Sequence, residues 1–217
     1  ALMRRRLSDH IRCPGCRLHR PLCMCALLPR LETRTHLVLV LHQLEAHKPS
    51  NTGRLATSCL PNSRTVVRGR GEPATATERW PAGHRPLVLY PHETARPIED
   101  FRRSETPIAL VVPDGTWPQA AKVKNRMFPD VEAVRLPDGL ETSYRLRNAR
   151  IEGRLSTIEA IATALGILED DPTIDERLRT VGRIMVERTL WTNGRLQADE
   201  VTGGIPKGLH YNGKEVP

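Results

Sequence analysis

Long apolar runs are missing from this chain. No stretch approaches the roughly 18 consecutive apolar residues of a membrane span. No apolar segment follows the basic Arg4-Arg5-Arg6 either, so a secretory signal is not expected and the expected setting is cytoplasmic. Acidic residues are in deficit: 25 Asp and Glu face 33 Lys and Arg, for a formal charge of +8. That deficit favours an acidic partner, most often nucleic acid. The excess is mostly arginine, which forks onto phosphate and stacks on bases better than lysine does. Internal repeats are lacking. Cysteine is almost absent outside one place, since four of the five fall between positions 13 and 25.

Those four, Cys13, Cys16, Cys23 and Cys25, form a C-x2-C-x6-C-x-C pattern. A disulfide framework is not expected in a cytosolic chain. Four thiolates this close can wrap one tetrahedral ion, with zinc the default and an iron–sulfur cluster the rival. Loss of the metal is expected to unfold the first 30 residues, since metal binding supplies about 10–16 kcal/mol in comparable peptides. Arg12, Arg17 and Arg20 surround the pattern, so the module reads either as an RNA grip or as a metal-stapled lid. Cys59 stands alone and reads as a small buried hydrophobe.

Apolar patterning gives an α/β chain with a mostly parallel sheet flanked by helices. Strands are expected at 36–42, 64–67, 87–90, 107–112 and 131–136, and helices at 54–60, 118–128, 156–168 and 174–190. The first strand, HLVLVLH, is apolar between its two histidines, as a strand covered on both faces is. Three domains are expected: a cysteine module at 1–30, a catalytic unit at 31–192 and a polar tail at 193–217.

Three strands end in the same punctuation: Leu89-Tyr90-Pro91, Val112-Pro113-Asp114 and Leu136-Pro137-Asp138. Loops with that shared ending are expected to converge on one sheet edge, and ligands of open α/β sheets sit outside the carboxyl ends of the strands. The middle one continues into Gly115-Thr116-Trp117. Asp114 puts a carboxylate at the mouth, Gly115 allows close backbone approach, and Trp117 offers a flat face for a base. The alternative is a tight turn with a core tryptophan. Pro49 to Arg54, which includes Asn51 and Thr52, is either an anion-holding loop or an ordinary capped turn. Lys122, Lys124 and Arg126 form either a basic patch beside the site or a solvated face. Ser156 and Glu159 have the spacing of a capping box.

Taken in order, the cysteine pattern, PSNTGRLA (49–56), Leu89-Tyr90-Pro91, Asp114-Gly115-Thr116-Trp117, SYRLR (143–147) and STIEA (156–160) resemble the DTW-domain family of tRNA-uridine aminocarboxypropyltransferases. The resemblance covers most of the chain. It implies a SPOUT-like fold with a deep trefoil knot. It also implies S-adenosylmethionine as donor, and transfer of its 3-amino-3-carboxypropyl group to N3 of a uridine in tRNA with release of 5′-methylthioadenosine.

On that reading Asp114 is the catalytic base or an anchor for the donor or uracil. Leu89, Tyr90, Pro91, Pro113, Gly115, Thr116, Trp117, Leu136, Pro137, Ser156, Thr157 and Glu159 hold the donor. The N-terminus of the helix beginning at Ser156 is the candidate for the donor's carboxylate. Asn51, Thr52, Arg54, Lys122, Tyr144, Arg145 and Arg147 meet RNA. The rivals are aminocarboxypropyl transfer to ribosomal RNA, a SPOUT-type RNA methyltransferase, and a non-enzymatic zinc-ribbon RNA-binding protein.

Overall fold

The computed structural model describes residues 11–69, 80–146, 155–211 and 214–215. Its centre is a six-stranded sheet in which every pairing is parallel. The strands are β1 (His36–His42), β2 (Ser63–Arg68), β3 (Arg85–Leu89), β4 (Arg96–Pro97), β5 (Ile108–Asp114) and β6 (Glu132–Arg135), in the spatial order β2-β1-β5-β3-β6-β4. A short antiparallel pair, β7 (His210–Tyr211) and β8 (Lys214–Glu215), lies in the otherwise mostly irregular tail.

Helices α1 (Gln43–Ala46), α2 (Gly53–Cys59), α3 (Trp117–Lys122), α4 (Thr157–Glu169) and α5 (Pro172–Thr192) complete the layers. The alternation in β1 shows how the two faces are filled. Leu37, Leu39 and Leu41 enter the large core with α2, α4 and α5, whereas Val38 and Val40 enter a smaller one with Val88, Val111 and Phe128. A strand buried on both sides must be apolar at every position, and the larger Leu side chains fill the deeper, helix-covered face.

The cysteine segment does not stand apart. Cys16, Leu18, Leu22 and Met24 are buried in the same large core as the sheet and the long helices. Arg188 of α5 reaches into it and donates to the carbonyls of Leu22 (2.9 Å) and Cys23 (3.0 Å).

The two-residue β4 and the β7–β8 pair were not among the expected strands, and three further differences have a physical reason. β5 runs on through Pro113 to Asp114 instead of stopping at the proline. Pairing with β3 ends at Val111, while pairing with β1 continues to Asp114, so the missing N–H is tolerated where the strand has one partner only. The expected helix at 118–128 is α-helical only to Lys122. It then widens to a π turn over Val123–Met127, closed by Lys124 Nζ donating to the carbonyls of Phe128 and Pro129. Helix α1 has no signal in the sequence: four residues are too few for a hydrophobic period to register.

Candidate active site and metal cluster

A cavity of about 830 Å³ opens at the carboxyl ends of β3, β5 and β6. Its walls include Leu89, Tyr90 and Pro91, then Pro113, Asp114, Gly115, Thr116 and Trp117, then Leu136 and Pro137, with Thr157 from the start of α4. The three proline-marked tips thus meet around one space. Parallel neighbours put their carboxyl ends at one edge, so loops separate in sequence become adjacent there. Sequence reasoning missed Glu45 and Lys48, which line the cavity from α1 and the turn after it and form an ion pair at 2.5 Å.

Asp114, 9% exposed, is the buried one of the acidic residues that line the cavity. Its alternation along β5 places it on the same face as Leu110 and Val112, toward α2 and α4. Asn51 Nδ2 donates to its Oδ2 at 2.7 Å, and Thr157 Oγ1 donates to its Oδ1 at 2.8 Å. The orientation of the Asn51 amide is dictated by the chain, because its oxygen accepts the Arg54 N–H at 3.1 Å and only its nitrogen can face the carboxylate. Gly53 is required by space: a Cβ there would stand 2.5 Å from Asp114 Oδ2. The 51–53 turn is therefore moulded to one carboxylate.

Trp117 is 46% exposed, with its ring centroid 6.1 Å from that of Tyr90 at an interplanar angle of 58°. An indole left open at a cavity rim with a second ring beside it suits stacking on a flat ligand. It is not the core tryptophan of the alternative reading. Gly115 is explained by the neighbouring cap. The Thr116 N–H donates to Gln119 Oε1 at 2.8 Å, and a Cβ on Gly115 would lie 2.6 Å from that oxygen.

Ser156 and Glu159 were expected to touch the donor, but they lie behind the wall and do not line the cavity. Glu159 is 2% exposed. Its carboxylate accepts from Ser156 N (2.7 Å), Ser156 Oγ (2.8 Å), Thr142 Oγ1 (2.9 Å), Ser143 N (2.7 Å) and Ser143 Oγ (3.0 Å). Burial works to raise its pKa, but the N–H groups of Ser156 and Ser143 and the hydroxyls around it prevail and hold it below the ordinary carboxylate value. Glu159 thus ties the 142–143 segment to the start of α4.

The first turn of α4 is also occupied. The Ile158 N–H goes to Thr52 Oγ1 at 3.3 Å, and the Glu159 N–H goes to the Ser156 side chain. Two carboxylates, Asp114 and Glu159, already sit against this helix end. A donor carboxylate would meet both of them there, Glu159 itself lying 3.9 Å from Arg179 Nη1.

The residues expected on RNA divide in two. Asn51 is spent on Asp114. Thr52 is 4% exposed. Arg54 turns inward, donating through Nη2 to the carbonyl of Pro14 at 3.3 Å. Lys122 and Arg145 are exposed, and Arg145 lies 4.0 Å from Glu187. Tyr144 is half-buried, and its hydroxyl donates to the Ser50 carbonyl at 3.1 Å. Arg147 lies outside the described residues.

The four cysteine sulfurs all lie within 4.8 Å of one another and can hold a metal ion. A tight turn, with Cys13 N donating to Leu18 O at 2.8 Å and Arg17 N to Cys13 O at 3.0 Å, presents the first pair. Arg17 takes a left-handed φ of 62° to close it. Gly15 is packed against the sulfurs, so that a Cβ would stand 2.9 Å from Cys25 Sγ. Burial disfavours the Cys13 thiolate, but the N–H groups of Cys16 and Gly15 aim at its sulfur and bring its pKa down to about 6; burial pushes Cys16 and Cys25 up. Cys59 is fully buried and remote from this chemistry, as expected.

An all-parallel α/β sheet with a carboxylate-bearing cavity at its strand tips defines a ligand-binding α/β protein. The chain belongs to the DTW-domain family, whose sequence profile matches residues 10–190. It is 33% identical over 178 residues to a Macaca fascicularis protein named tRNA-uridine aminocarboxypropyltransferase 2, covering 76% of this chain and 59% of that one. A Drosophila melanogaster protein of the same name is 28% identical over 176 residues, covering 77% of this chain and 70% of the relative. An Arabidopsis thaliana tRNA-uridine aminocarboxypropyltransferase A is 27% identical over 210 residues, covering 80% and 79%. The chain spans about three fifths of the length of the mammalian relatives. No solved structure matches it. Among the described residues, no helix is long and apolar enough to cross a membrane.

Proposed function

We propose that this chain transfers the 3-amino-3-carboxypropyl group of S-adenosylmethionine to N3 of a uridine in tRNA, releasing 5′-methylthioadenosine. The observation that carries the reading is the Asp114 carboxylate, fixed by two donors in the wall of a cavity of about 830 Å³. The names of the relatives supply the reaction class. A space of that size is in the range that encloses small-molecule ligands, about 300–1,000 Å³.

A sulfonium is already an activated leaving group, so the site's task is aim: the γ-carbon of the amino-acid arm, not the methyl, must face the nucleophile. The tips at Tyr90-Pro91 and Leu136-Pro137 would embrace the adenosine through backbone groups, and Trp117 would stack on a ring. The corner formed by Asp114 and the start of α4 is negative, which favours the donor's ammonium group there over its carboxylate. Asp114 would take the N3 proton, a contribution of about 10²–10⁴ in rate for a positioned base. The exposed Lys122 and Arg145, with Tyr144 behind them, are the candidates for tRNA contact, and the net charge of +8 would assist encounter.

The four cysteines would hold zinc. Thiolates placed tetrahedrally about 2.3 Å from one ion are about 3.8 Å apart, against 3.4, 3.5 and 3.9 Å for three of the sulfur pairs here and no more than 4.8 Å for any. A four-iron cluster spreads its cysteines wider, because each binds a different iron. Zinc here would be structural, and no step of the transfer passes through it.

The test is incubation with S-adenosylmethionine and unmodified tRNA, followed by nucleoside mass spectrometry and identification of the small product. 5′-Methylthioadenosine is expected, whereas S-adenosylhomocysteine would mean methyl transfer and overturn the reading. Asp114→Asn is expected to lower turnover at least about 10²-fold with donor affinity retained. Loss of donor affinity instead would make Asp114 the ammonium anchor.

A further inference from the structure

One buried and one half-buried guanidinium group lie beside the four cysteines, and no carboxylate pairs with either among the described residues. Arg188 of α5 is 3% exposed; it donates to the carbonyls of Leu22 and Cys23 and, through Nη2, to Gly204 at 3.0 Å. Its Nε is buried and has no hydrogen-bond partner among the described residues. Arg54 of α2 is half-buried, donates to Pro14, and has its Nη1 buried without a partner among the described residues. One arginine thus reaches the Cys13–Cys16 turn and the other the Cys23–Cys25 turn, from different helices.

Arginine does not deprotonate in proteins. A buried cation without a counter-ion is strongly disfavoured, so a pair of them at one place implies that a negative charge belongs there. Protonated thiols are neutral and cannot balance two arginines. Four thiolates around one divalent ion carry a net negative charge and can.

We propose that Arg54 and Arg188 are the built-in counter-charges of a metal–tetrathiolate centre. Metal loading and docking of the cysteine segment onto α2 and α5 are then one thermodynamic event. This rests on the reading of the four cysteines as metal ligands.

The experiment measures zinc affinity of the full chain by chelator competition, and thermal unfolding with and without zinc. Arg188→Gln keeps hydrogen-bonding capacity without charge, and Arg188→Lys keeps charge without the fork; the same pair is made at Arg54. The Gln variants are expected to bind zinc about 10–100-fold more weakly, the range seen for groups that tune metal ligands from outside. The Lys variants should stay within about threefold of the parent, because the charge is retained. In the zinc-stripped protein Arg188→Gln should not lower the unfolding temperature, since it removes an uncompensated charge. Gln and Lys variants with equal zinc affinity would overturn the counter-charge role and leave the metal reading intact. So would equal destabilisation of the loaded and stripped forms by Arg188→Gln. A parent chain that binds no zinc would overturn both.

Discussion

Asp114 is held by contacts that come from two separate segments, the 51–53 turn and the start of α4. Asn51 and Thr157 each give it one hydrogen bond, and Gly53 gives it room. Hydrogen bonds to a charged group contribute about 1.5–3 kcal/mol each, and a carboxylate left with one donor can rotate away from its working position. Thr157→Val is therefore expected to lower kcat about 10-fold or more while tRNA KM changes little, and Thr157→Ser should restore it. Asn51→Ala should act in the same direction. Steady-state kinetics against tRNA and donor separate this from an RNA-contact role for Asn51, which would raise tRNA KM instead.

Helix α4 depends on a single acid. Glu159 caps its own helix through Ser156 and holds Ser143 and Thr142 of the preceding segment. Its folded pKa lies below the ordinary value because donors outweigh burial. Its contribution is therefore complete above the unfolded-state value of about 4.3 and is lost as pH falls through the lower folded value. Glu159→Gln should cost about 1.5–3 kcal/mol at pH 7 and should flatten the acid limb of stability. Urea unfolding at pH 7 and near pH 4 measures both effects. The end of α4 that carries this acid also presents Thr157 to Asp114, so loosening it should reach the cavity.

The cysteine segment and the sheet share one core. Leu18, Leu22 and Met24 pack in the same cluster as Leu37, Leu110 and Met185. Metal removal should for that reason be felt throughout, not confined to the first 30 residues. Chelation is expected to lower the single thermal transition of the whole chain by several degrees or more, with tryptophan fluorescence and far-UV circular dichroism moving together. Loss of the cysteine segment alone, with an unchanged main transition, would show it to be an independent module.

The sequence by itself determined the layers, the strand tips and the four-cysteine cluster. These signals are local: apolar runs, Pro and Gly at fixed offsets, and four cysteines within 13 residues. The capping box at Ser156 and Glu159 was legible for the same reason. Only the tertiary structure decided what each polar side chain faces. It turned Asn51 and Arg54 inward, placed Glu159 behind the wall, and brought Glu45 and Lys48 to the rim. A side chain's partner depends on which distant strands become neighbours in a parallel sheet, and every such neighbour is reached by a crossover whose direction no short stretch of residues encodes.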